Sequence, residues 1–130
     1  MNGLIVFAHG SSVQAANDAV RAVAEKIRQR GDYGIVEAAF LEEGVPDLPQ
    51  AIKNLVESGA RRIVVVPYFL VPGIHLTRDL PGIVDHLRGI YKSVRIEVTE
   101  SLDGHPALLE AVLDRAGKTH GGSDSEGEAG

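Results

Sequence analysis

The chain has 130 residues, enough for one domain with a real core. It is 44% apolar but only 5% aromatic, with no Trp, so Val, Ile, Leu and Ala are expected to fill the core. The lack of Cys excludes disulfides, thiolate metal sites and a Cys nucleophile. The net charge of -5 argues against nucleic acid as a partner, and the short apolar start is no signal peptide or membrane span, so a soluble cytoplasmic protein is expected.

Leu4 to Ala8 is a continuous apolar run that stops at His9-Gly10-Ser11-Ser12, as a strand buried on both faces would. Residues 13–30 carry Ala16, Val20, Val23 and Ile27 at helical spacing, with Ser11 or Ser12 as the expected cap and Gly31 as the stop. Ile35 to Leu41 is a second strand. Pro46 and Asp47 open a second helix that carries Leu48, Ile52, Leu55 and Val56 and ends at Gly59. Ile63 to Phe69 is the strongest strand, followed by a loop from Leu70 to His75. A third helix is expected from about Thr77 to Gly89, with Pro81 in its first turn. Val94 to Val98 is a fourth strand, and Pro106 starts a last helix that runs to about Ala116. Residues 117–130 are Gly, Ser and acid with almost nothing apolar, which reads as a disordered tail behind a single domain of residues 1–116.

The order β-α-β-α-β-α-β-α predicts an α/β fold: a four-stranded parallel sheet with helices on both faces. Ligands of such sheets bind beyond the carboxyl ends of the strands. Three loops at that edge hold a candidate metal ligand: His9, Glu42 with Glu43 beside it, and His75. Two imidazoles and a carboxylate suit a first-row divalent ion with open positions. Strand-end residues that merely cap loops are the plainer alternative. Gly10 permits a tight turn after His9 and leaves backbone N–H groups at a helix start, where anions are stabilised. Arg78 offers a guanidinium to a substrate carboxylate, or is solvated surface. His86 reads as solvated, His105 as a helix-start residue, and His120 lies in the tail.

The segments AHGSS, AFLEEGVPDLPQAI and RRIVVVPYFLVPGIHLTRDLP, with Gly104-His105-Pro106, closely resemble the small CbiX-type sirohydrochlorin chelatases, the short class II chelatases. The similarity spans about residues 3–116. It implies a flavodoxin-like chelatase fold and ATP-independent insertion of Co2+, Fe2+ or Ni2+, Co2+ first, into sirohydrochlorin or a close relative, as in cobalamin or siroheme synthesis. It implies no cofactor beyond the substrate metal. His9 and His75 would bind the ion, His9 would also accept a proton, and Glu42 would be the third ligand. Leu70, Val71, Pro72, Gly73, Ile74 and His75 would line the macrocycle pocket, with Glu43 a further candidate. Relatives usually carry an apolar residue after the glutamate, where this chain has Glu43. Strand alternation admits only one of the two to the cleft and does not say which. Longer relatives carry two such halves in one chain, so a homodimer is implied; a His-rich stretch found in some relatives is missing here.

Other chemistries fit less well. A histidine phosphatase needs Arg before the His, and Ala8 stands there; the Gly-x-Ser-x-Gly elbow of a serine hydrolase and the Walker-type phosphate loop are missing. A non-catalytic metal or tetrapyrrole carrier would use the same ligands as a chelatase.

Overall fold

A computed structural model describes residues 1–71 and 73–121, apart from the side chains of Ile74, His75 and Thr77. Pro72 and most of the expected tail, residues 122–130, lie outside the described residues. The elements are β1 (Asn2–Ala8), α1 (Gln14–Arg30), β2 (Ile35–Phe40), α2 (Leu48–Glu57), β3 (Arg62–Pro67), α3 (Ile74–Ile90), β4 (Arg95–Val98) and α4 (Pro106–Ala116). The strands form one parallel sheet in the order β2-β1-β3-β4.

That order dictates the layers. The chain steps one way from β1 to β2, then back across to β3 and on to β4. Right-handed crossovers therefore put α1 on one face and α2 and α3 on the other. The core divides the same way. Ala24 of α1 packs with Leu4, Val6, Ala8, Ala38 and Phe40. Leu48, Ile52 and Leu55 of α2 and Leu80 and Val84 of α3 pack with Ile5, Phe7, Ala39, Ile63, Val65 and Ile96. Alternate residues of β1 thus enter opposite layers, which is why its apolar run has no polar interruption.

The few aromatics matter more than the composition suggests. Phe7 and Phe40 are the largest fully buried side chains, one in each layer. Burying such a side chain contributes about 1.5–3 kcal/mol. The half-exposed Arg62–Glu97 pair, 2.7 Å between Nε and Oε1, contributes at most about 1 kcal/mol. Apolar burial, not ion pairing, holds the strands together.

Several local expectations are corrected. Neither Ser11 nor Ser12 caps α1: the N-cap is Val13 with no side-chain bond, and the Ser11 hydroxyl instead accepts from the Val13 amide at 3.0 Å. Gly31 ends α1 in the left-handed conformation, as expected. In α2 the cap is Asp47, whose carboxylate accepts from the Gln50 amide at 2.9 Å. β3 stops at Pro67, two residues early. The third helix starts at Ile74 rather than near Thr77, so His75 belongs to its first turn and Pro81 lies in its interior. Pro81 has no N–H for the carbonyl of residue 77, a cost outweighed by burial of Leu76, Leu80, Val84 and Leu87 on the same helix.

The last helix is different in kind. α4 buries none of its residues, and Leu109, Val112 and Leu113 are 62%, 65% and 57% exposed. No helix among the described residues is long and apolar enough to cross a membrane.

Candidate functional site

Because every strand is parallel, the loops after β1, β2, β3 and β4 open on one edge of the sheet. The β1–β2 ladder continues past the strand ends into two of these loops. The Leu41 amide donates to the Ala8 carbonyl at 2.9 Å, and the Glu42 amide donates to the His9 carbonyl at 3.0 Å. His9 and Glu42, 33 positions apart in sequence, therefore face each other: Nε2 lies 3.6 Å from Oε2, with the side chains 59% and 58% exposed.

That separation is informative. It is too long for a hydrogen bond. A divalent ion held at ordinary His N and carboxylate O distances spaces two such donors about 3–3.5 Å apart. Only a slight adjustment would let one ion bridge the pair. The Nδ1 of His9 lies 3.4 Å from the Gly10 carbonyl. A carbonyl can only accept, so in the tautomer with its proton on Nδ1 this contact is satisfied and the Nε2 lone pair is left on the Glu42 side.

Gly10 makes the approach geometrically feasible. Its φ is +94°, and a Cβ there would sit 1.7 Å from the Glu42 carbonyl oxygen. Glu43 is exposed and has φ 52°, the left-handed region, though it is not glycine. Strand alternation does not choose between the two glutamates, because β2 ends at Phe40 and both lie in the loop beyond it. Loop geometry puts the Glu42 carboxylate beside His9.

His75, in the first turn of α3, starts from the same edge of the sheet, and its side chain lies outside the described residues. Among the described residues no three His, Cys, Asp or Glu side chains group closely enough to hold an ion. Of the residues expected to line a macrocycle pocket, Leu70 and Val71 are 66% and 72% exposed, and Gly73 is the N-cap of α3. Pro72 and the side chain of Ile74 are outside the described residues. Arg78 lines an open groove between α2 and α3 with Asp47 and Lys53, and its Nε is 3.8 Å from an Asp79 carboxylate oxygen. His86 is exposed, and His105 caps α4 by accepting from the Ala107 amide at 3.0 Å, as its position before Pro106 suggests.

Sequence reasoning missed three residues here. Val13 and Val45 are exposed apolar side chains in the loops that carry His9 and Glu42, as Leu70 and Val71 are after β3. Asn17 is the buried polar side chain of the described residues, 1% exposed, and it bonds to both loops. Two apolar residues standing where a loop needs none were a usable signal; Asn17 offered none.

Compared with known proteins, the chain matches the CbiX family model over residues 3–119. It is 41% identical over 92 residues to the sirohydrochlorin cobaltochelatase of Methanococcus maripaludis, covering 71% of this chain and 61% of that one. It is 30% identical over 118 residues to the sirohydrochlorin cobaltochelatase of Sulfolobus acidocaldarius, covering 91% of this chain and 92% of that one. Among solved structures it resembles the sirohydrochlorin chelatase SirB of Bacillus subtilis subspecies spizizenii in complex with cobalt. The TM-score is 0.81 and the identity 26%, covering 89% of this chain and 50% of SirB. The chain thus spans only part of the length of the Methanococcus protein and of SirB.

Proposed function

The chain belongs to the CbiX family, and on that premise we propose that it inserts a divalent metal, Co2+ before Fe2+ or Ni2+, into sirohydrochlorin without ATP, in the cytoplasm. The observation that carries the reading is the 3.6 Å meeting of the His9 imidazole and the Glu42 carboxylate at an open mouth of the sheet. The cobaltochelatase relatives and the cobalt complex of SirB support Co2+ as the first choice.

Insertion replaces two pyrrolic N–H protons with one dication, so two protons must leave. His9 Nε2 and Glu42, joined by His75, hold the ion loosely with positions open for pyrrole nitrogens. As the ring nitrogens take the ion, Nε2 is freed and accepts one departing proton, while the other passes to solvent at the open mouth. Imidazole suits both roles because its neutral form is well populated near neutral pH. The exposed side chains of Val13, Val45, Leu70 and Val71 support an apolar seat for one face of the macrocycle, for which the resemblance adds Pro72, Gly73 and Ile74 as candidates. Glu43 would stand at its rim, and helix N-termini with Arg78 would meet the peripheral carboxylates.

The test is sirohydrochlorin with excess Co2+, followed by absorbance. Many turnovers per protomer are expected. Saturation at one equivalent would make the protein a carrier and overturn the reading.

A homodimer is part of the same proposal. An 11-residue helix is marginal alone in water, and the exposed Leu109, Val112 and Leu113 of α4 need a cover. That this chain covers only half of SirB is consistent with a second copy completing the assembly. Light scattering should give twice the protomer mass for the native chain and the protomer mass for a Leu109→Asp, Leu113→Asp variant. A native monomer at assay concentration would remove this part of the proposal.

A further inference from the structure

The Asn17 amide ties together the two loops that carry His9 and Glu42. It sits in the first turns of α1, and its side chain makes three bonds. Its Oδ1 accepts from the Ser11 amide at 3.0 Å. Its Nδ2 donates to the Ser11 carbonyl at 2.8 Å and to the Glu43 carbonyl at 2.9 Å. Ser11 follows His9 by two residues, and Glu43 follows Glu42 directly. One amide is therefore bonded to both ligand-bearing loops, at 1% exposure, where each bond is shielded from water.

We propose that Asn17 is the positioning residue of the site: it sets the separation of the His9 imidazole and the Glu42 carboxylate by clamping their loops through Ser11 and Glu43. The inference rests on the reading that these two side chains bind the metal. The chemistry at position 17 is narrow. The two carbonyls need two donors on one group, and the Ser11 amide needs an acceptor on the same group; a primary amide supplies both. The bond to Glu43 also holds a non-glycine residue in the left-handed conformation. Once it is broken, that residue is free to relax toward negative φ and carry Glu42 with it.

Asn17→Asp keeps the shape and removes the donors, setting a carboxylate against two carbonyl oxygens. Titration with Co2+ alone should show about 10–100-fold weaker binding, the usual effect of losing a group that orients a metal ligand. The Co2+ visible absorption should change. In the insertion assay the KM for Co2+ should rise, with the KM for sirohydrochlorin unchanged. Asn17→Ser, which can give back one bond, should fall between, and it decides the matter if the Asp variant does not fold. Ile96→Ala, buried in β4 away from both loops, controls for general destabilisation and should keep native Co2+ affinity. Folded Asn17 variants that bind Co2+ as the native chain does overturn the clamp if His9→Ala and Glu42→Ala are inactive. If those two variants bind and insert normally, the reading of the site fails instead.

Discussion

His9→Ala should lower the rate of Co2+ insertion by about 10²–10⁴-fold, the range for losing a positioned general base, with further loss from the missing ligand. The fold should survive, because the side chain is 59% exposed and substitutions at such positions usually change stability by less than about 0.5 kcal/mol. Initial rates by absorbance and a circular dichroism melt measure the two effects separately. Glu42→Gln extends the test: it keeps the size of the side chain and removes its charge, so Co2+ affinity should fall while the backbone ladder at Leu41 and Glu42 remains. Native rates in the folded His9 variant would mean that the pair at the mouth is not the metal site.

The second large effect is expected at Gly10. An added Cβ would lie 1.7 Å from the Glu42 carbonyl oxygen, which is backbone and has little room to retreat. The φ of +94° adds its own penalty for any other residue. Clash and strain together should cost Gly10→Ala about 2–4 kcal/mol, a fall in Tm of about 10 °C. Gly82, in α3 with nothing near a built Cβ, is the natural comparison: alanine there should be neutral or stabilising by up to about 1 kcal/mol. Equal melts for the two variants would show that the β1–α1 loop does not press on Glu42 as described. Because the displaced atom belongs to a proposed ligand residue, activity should fall further than stability accounts for.

Much of this was legible in the sequence, for identifiable reasons. The parallel sheet followed from apolar runs with no alternation, since both faces of β1 and β3 are covered or nearly so. His9 was visible because it stands where such a run stops, and the edge at which runs stop is where ligands bind. The start of α3 was misplaced because Pro81 looked like a first-turn proline. Local propensity there yields to burial of Leu76 and Leu80, which no sequence window weighs. Asn17 was invisible because its decisive partner, the Glu43 carbonyl, lies 26 positions away. The preference for Glu42 over Glu43 was equally hidden: it depends on where β2 ends and on one backbone angle, not on which residues are present.

That angle at Glu43 carries a design consequence. A left-handed conformation costs a side-chain-bearing residue about 1 kcal/mol that glycine would not incur. Engineering for heat tolerance would choose Glu43→Gly first, and by that criterion alone it would succeed. The same exchange would strip a negative charge from the entrance and loosen the neighbour of Glu42, so robustness and turnover should be traded against each other at this single position.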